Sequence, residues 1–361
     1  MTDTLLPTSV RLDFAAESLA STNLSGAAFT GDWLWVVGDE AAAVELLQRR
    51  KPVAKEALHF VRTDSFPLHT LLDLPGGPED EADLEGLAVH DGWLWLVGSH
   101  GLKRKNIKPN RDDATNAKRL TRVELDGNRR LLARIPIETA ADGAPKLVRE
   151  SRDGRRAMRL KGDIVRNGLI DLLEDDPHLA PFLAIPGKDN GFDIEGLAID
   201  GSRLLLGLRG PVLRGWTLLL EVAVQPQGAW LRLVPLDDRG TMLRKHFLQL
   251  GGLGVRDLHF DGDDLFVLAG PTMVLDGDIR LFRWPGARQT LRTNEAPVRF
   301  QSDFDEPVDL PHAPGRDRAE AFCELPDGLL PGSNWLVLYD APGPARHPSA
   351  HTVFGDLLRR D

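Results

Sequence analysis

A single cysteine, Cys323, rules out an intrachain disulfide and any zinc site with two or more thiolate ligands. No apolar run approaches the roughly 18 residues that a membrane-crossing helix needs. Met1 to Pro7 has neither a basic segment nor a long apolar core. A reducing, cytoplasmic setting without a membrane partner is therefore the expectation. Positive charge is also in short supply: 44 Lys and Arg face 54 Asp and Glu, for a net charge of -10. A dedicated nucleic-acid binder is disfavoured on that count, because neutralising phosphates takes a net basic surface. Familiar catalytic signatures are missing too. There is no G-x-x-x-x-G-K-[ST], G-x-S-x-G, H-E-x-x-H or EF-hand loop. The G-x-G at Gly252–Gly254 runs on into Arg256-Asp257 without completing a dinucleotide fingerprint.

What the chain does have is apolar residues, turns and a repeat. Hydrophobic residues make up 42% of the 361, ordinary for a folded protein, and 35 Gly with 25 Pro favour many short strands. Asp83 to Gly98 reads DLEGLAVHDGWLWLVG, and Asp193 to Gly207 reads DIEGLAIDGSRLLLG. Asn23 to Gly38, Gly254 to Gly270 and Arg318 to Tyr339 repeat the plan more loosely. Each copy is an apolar strand, a turn and a second apolar strand. Asp91-Gly92, Asp200-Gly201 and Asp261-Gly262 supply the positive-φ positions of tight turns. The pairs Trp33/Trp35 and Trp93/Trp95 are spaced to share one sheet face and pack between sheets.

Further strand pairs are expected after the copies: His59–Thr63 with Pro67–Leu74, Leu120–Leu125 with Arg130–Ile137, Trp216–Val224 with Trp230–Leu236, and Ile279–Trp284 with Val298–Gln301. Two strands plus two make one propeller blade. The last copy has only His351–Leu358, and Ser9–Phe14 is expected to supply its outer strand and close the ring. The fold predicted is all-β, a single β-propeller over residues 1–361 with five counted repeats. A sixth blade within Glu138–Phe192 is the alternative. That stretch instead reads as a partly helical insertion, with Ile164, Leu169, Leu172 and Leu173 at helical spacing.

The segments KDNGFDIEGLAIDG, LGLRGP, LGGLGVRDLHFDGD and VLAGP together resemble a bacterial propeller family known only as a domain of unknown function. More distantly, E-G-L-A is similar to the first strand of the esterase-like phytase group and to the E-G-P motif of calcium-dependent gluconolactonase-type propellers. In the latter the Glu is a metal ligand near the central axis. The resemblance implies a metal role for Glu85 and Glu195, with calcium or another divalent cation as cofactor.

Aligning the first strands gives a column of Ser25, Glu85, Glu195, Arg256 and Glu320. Two residues earlier stand Asn23, Asp83, Asp193, Gly254 and Arg318. Innermost strands line a propeller's axis, so equivalent positions form a ring. Glu85, Glu195 and Glu320 would converge there, either as oxygen ligands for a divalent ion or as partners of backbone amides and Arg256. Loops after the second strands hold Asp39, His100, Arg209, Gly270 and Asp340, near the same end. His100 is the candidate general base by residue type. Arg209 and Arg256 are candidates for gripping an anion, and Asp257 joins them as a candidate catalytic residue. Ten basic against four acidic residues in Lys103–Arg130 add a second attraction for anions, or form a solvated loop. Two functions remain: an axial pocket binding a small anionic molecule, metal or protein partner, or a divalent-metal-dependent hydrolase of phosphoesters or esters.

Overall fold

Two-residue loops join four of the inner hairpins, as the turn residues require. Thr30 pairs with Trp33, His90 with Trp93, Asp200 with Arg203 and Asp261 with Asp264. Asp91 and Gly92 adopt φ of 49° and 73°, the left-handed backbone of the hairpin turn that matches strand twist. The computed structural model describes residues 8–18, 20–53, 56–78, 80–293, 295–332 and 334–359. Among them lie four short α-helices and a chain otherwise built of strands. No helix is long and apolar enough to cross a membrane.

The strands form five blades around one axis. Blade one is Leu24–Thr30, Trp33–Gly38, Ala43–Arg50 and Leu58–Pro67. Blade two is Leu84–His90, Trp93–Gly98 and Leu132–Thr139, edged by the short pieces Pro145–Leu147 and Met158–Arg159. Asp193–Asp200, Arg203–Gly210, Trp216–Gln227 and Arg244–Gln249 make blade three. Gly254–Asp261, Asp264–Gly270, Ile279–Trp284 and Val308–Leu310 make blade four. Blade five has Arg318–Glu324, Asn334–Asp340 and Thr352–Arg359. The five inner strands pack side by side, one on two through to five on one, so the ring is closed.

Closure comes from the N-terminal strand Thr8–Asp13. It pairs antiparallel with Thr352–Arg359 of blade five, Leu12 opposite Val353. It also pairs parallel with Leu58–Pro67 of blade one, Leu12 opposite Phe60. Both neighbouring edges are thereby satisfied, and Val10 and Leu12 are wholly buried between them.

The E-G-L segment has a packing reason. A Cβ on Gly86 would sit 2.8 Å from Leu197 Cβ, and one on Gly26 3.1 Å from Leu87 Cβ. Each glycine receives the leucine of the next blade, so adjacent inner strands approach closely. Blade four has Asp257 at this position. Its carboxylate accepts from the Leu258 and Phe322 amides at 2.8 and 3.0 Å, tying blade four to blade five.

Several outer strands differ from expectation. Ala43–Arg50 is the third strand of blade one, and Leu58–Pro67 is one continuous strand followed by a helical turn at Leu68–Leu71. Leu120–Leu125 forms no blade strand: the helix Asp113–Leu120 ends there, and Val123–Glu124 pairs only with Lys103–Arg104. Trp230–Val234 pairs with the overhanging end of Trp216–Gln227, whereas Arg244–Gln249 pairs along its body. Val298–Gln301 joins blade three, not blade four, by running parallel to Arg244–Gln249. Within 138–192 a helix spans Gly168–Leu173, capped by the Asn167 side chain. Its buried face is Leu169, Ile170 and Leu173, while Ile164 lies outside it and is exposed. Alternation identifies an apolar strand but not its partner, which long-range packing decides.

Deleting residues 1–14 removes the closing strand and exposes two edges. Burial of Val10, Leu12 and Phe14 alone is worth about 5–9 kcal/mol at about 1.5–3 kcal/mol each. The truncated protein should melt far below the full chain or aggregate, as differential scanning calorimetry will show. Unchanged melting would mean that this strand does not hold the ring together.

Candidate functional site

Each of the five inner hairpins breaks register at the same place. The shift falls between Leu24 and Gly26, Leu84 and Gly86, Ile194 and Gly196, Val255 and Asp257, and Ala319 and Ala321. The residue skipped is the column Ser25, Glu85, Glu195, Arg256, Glu320. A bulge leaves one residue without a cross-strand partner and re-aims its side chain. Four of the five therefore line one axial pocket, with a cavity of about 40 Å3. Ser25 does not. Its hydroxyl donates to Leu84 O at 2.5 Å, linking blade one to blade two.

An ion-pair chain crosses the pocket floor. Arg209 Nη1 lies 2.6 Å from Glu195 Oε1, and Arg256 Nη1 lies 3.1 Å from Glu195 Oε2 and 2.6 Å from Glu320 Oε1. The same guanidinium groups hold a loop: Arg209 Nε donates to Thr272 O at 3.0 Å, and Arg256 Nη2 to Pro271 O at 2.7 Å. Asp39 and Asp340 enter from the loops after second strands, and Lys188 reaches in from the turn Gly187–Asp189 before blade three. Glu85 stands apart. It makes no hydrogen bond or ion pair among the described residues.

Crowded acids raise one another's proton affinity. Burial, then Asp83, Glu195 and Asp39, lift Glu85 well above the usual carboxylate range. Burial, then Asp83 and Asp340, push Asp39 up to about 7. Glu320 rises to about 8 through burial and Asp340, which outweigh Arg256. Behind the floor, burial and Glu195 raise Asp193 to about 7. Lys188 is drawn down by burial and Arg209, yet Glu320, Glu85 and Asp83 together leave it above its ordinary value.

Other candidates lie elsewhere. His100 is buried behind the pocket wall, its Nδ1 2.9 Å from Gly98 O and its Nε2 3.0 Å from Asn167 Nδ2. Since the Gly98 carbonyl only accepts, Nδ1 carries the proton and Nε2 accepts from the amide. Burial pushes this imidazole down to about 4, so it ties the inserted segment to blade two as a neutral ring. Asp257 is spent on the two backbone amides described above. Four of the ten basic residues of that stretch are in ion pairs: Lys103 with Glu81 at 2.9 Å, Arg104 with Asp189 at 2.6 Å, Lys105 with Glu124 at 2.5 Å and Arg129 with Glu81 at 3.3 Å.

Lys188 was missed, although it stands in the distinctive KDNGFDIEGLAIDG segment. Its position five residues ahead of an inner strand was the available signal.

A family model described as "Protein of unknown function (DUF3616)" matches residues 23–356. The chain belongs to this family. No curated protein matches it. Among solved structures, an exo-β-1,3-galactanase of Phanerochaete chrysosporium is similar at 9% identity and TM-score 0.42, over 99% of this chain and 64% of that one. The Bacteroides ovatus protein Xyloglucan PUL GH43B is similar at 9% identity and TM-score 0.39, over 97% and 54%. A GH32 β-fructofuranosidase of Bombyx mori is similar at 11% identity and TM-score 0.41, over 93% and 59%. The DUF3616 chain thus spans 54–64% of the length of these chains. Likeness at this level carries nothing about chemistry.

The donor set does not fit the calcium implied by the gluconolactonase-type resemblance. Arg256 occupies the space between Glu195 and Glu320 that a shared cation would need. Among the described residues no group of three or more His, Cys, Asp or Glu is arranged to hold a metal ion.

Two predictions follow from this electrostatics. Arg256→Met leaves Glu195 and Glu320 without their common partner, and removing one member of a buried pair costs about 3–5 kcal/mol. Urea unfolding at pH 7 should show that loss. The raised acids set the pH dependence. A carboxyl whose folded pKa lies above its unfolded value contributes stability that is complete below the unfolded pKa and lost as pH rises through the folded one. With Asp39 and Asp193 raised from 3.8 to about 7 and Glu320 from 4.5 to about 8, the melting temperature should fall from about pH 5 to about pH 8 and level off above. Asp39→Asn should flatten that slope and raise stability at pH 8 by on the order of 1 kcal/mol, roughly 2 °C. A slope unaltered by the substitution would remove Asp39 from the cause.

Proposed function

We propose that the axial pocket binds a small, uncharged, hydroxyl-rich molecule. Glu85 carries this reading: a carboxyl without a hydrogen bond or ion pair among the described residues, driven toward its protonated form, beside a floor that Arg209, Glu195, Arg256 and Glu320 close into ion pairs. Five carboxyl groups and four cations line the pocket, so neither sign dominates. An anion would meet Asp39, Glu85 and Asp340. A cation would meet Lys188 and the two floor arginines. Hydroxyl groups both donate and accept, and so match a protonated Glu85, the Lys188 ammonium and the Asp340 carboxyl together.

One observation favours a catalytic version. Glu85 holds a proton beside Glu195, which is paired to two arginines. Neighbouring carboxyls in such unlike settings suit acid and base roles. In ester hydrolysis Glu85 would give its proton to the leaving oxygen as water adds to the acyl carbon, and the proton of that water would restore the acid. No step calls on a metal.

The test is a thermal-shift screen of neutral sugars and polyols, amines, phosphate esters and calcium chloride. Neutral polyols should stabilise the protein by about 2.7 kcal/mol at one hundred times their dissociation constant, and the charged probes and calcium should not. Glu85→Gln imitates the protonated acid, so it should keep binding. It should abolish turnover of ester derivatives if Glu85 is the proton donor. Stabilisation by calcium or phosphate esters alone would overturn the reading.

A further inference from the structure

The mouth of the axial pocket differs in character from its floor. The loop after the second strand of blade four raises Met273, Val274 and Leu275 beside it, exposed by 41, 60 and 60%. All three line the same pocket as Glu85 and Lys188. Three consecutive large apolar side chains in water are unusual on a soluble surface. They are also held in place. Pro271 O and Thr272 O accept from Arg256 and Arg209 at one end, and the Asp276 carboxylate accepts from the Gly315 amide at 2.7 Å at the other. Within the loop the Leu275 amide donates to Met273 O at 2.8 Å. The apolar tip is therefore displayed over the pocket by the arginines that clamp Glu195 and Glu320.

We infer that the ligand is amphipathic: a hydroxyl-rich head that reaches Glu85, joined to an alkyl or aryl group that covers Met273, Val274 and Leu275. This deepens the proposed function and rests on it. A protein partner fits less well, since a stable interface buries about 800 Å2 on each side and three residues present far less. A hydrocarbon group removes apolar surface at the rim from water, tightening binding about three- to fourfold per methylene covered. The floor alone would give no such gain.

Matched methyl and hexyl β-glucosides and β-galactosides are the probes, titrated calorimetrically into the full chain. The hexyl member of a binding pair should bind at least tenfold tighter than the methyl member. In the variant Met273→Ser/Val274→Ser/Leu275→Ser that advantage should vanish while methyl glycoside affinity stays the same. The three side chains are exposed, so the variant should keep the wild-type melting temperature. Equal affinities for methyl and hexyl probes overturn the inference and leave the pocket reading standing. So does a hexyl preference that survives in the variant. A dimer in sedimentation velocity that the variant abolishes also overturns it, by making the tip a self-association contact. Hexyl binding undiminished by Glu85→Ala overturns the pocket reading, and binding by neither member of either pair overturns both.

Discussion

Five inner strands carry the same side-chain position to one axis, and the charges they bring must be neutralised or must hold protons. Every other feature of the pocket answers to that crowding. Arg256 replaces a carboxylate in blade four and bridges Glu195 and Glu320. Ser25 replaces another in blade one and turns to a backbone carbonyl. Arg209 enters from a second strand and completes the chain. Glu85 receives no cation, and its proton affinity rises instead. The floor is thus a neutralised lattice beside two acids without an ion pair among the described residues, Glu85 on the axis and Asp39 in a loop, and these are where a ligand can compete for a polar contact.

Two local devices make the crowding possible. The bulge at each column residue frees that side chain from the regular alternation and points it to the axis. The glycine that follows in three blades accepts the neighbour's leucine, so adjacent blades approach without a Cβ between them. Asp257 does the same task by hydrogen bonding across the blade four–five junction. The N-terminal strand then closes the circle by pairing on both sides, antiparallel to one blade and parallel to the next.

Much of this was legible because it is local. D-x-E-G-L-A states a strand and the residue that stands on the axis, and Asp-Gly states the turn. Aligning the copies placed Glu85, Glu195, Arg256 and Glu320 together, as the structure does. The outer strands were less legible. Ala43–Arg50 reads AVELLQRR, where a bulge between Leu46 and Leu47 breaks the alternation that marks a strand. His100 occupies the right loop for the pocket, yet Asn167, distant in sequence, holds it on the other side of the wall. Lys188 and the Met273–Leu275 tip stand in loops, which follow no period.

The sequence by itself determined the β-rich propeller, the hairpin turns and the residue types that stand on the axis, because strand periodicity and turn chemistry act between near neighbours. Tertiary structure alone decided which carboxylates find an arginine, which acids have their proton affinity raised, and which loops roof the pocket. Those outcomes depend on distances between blades, and on burial that exists only once the ring has closed.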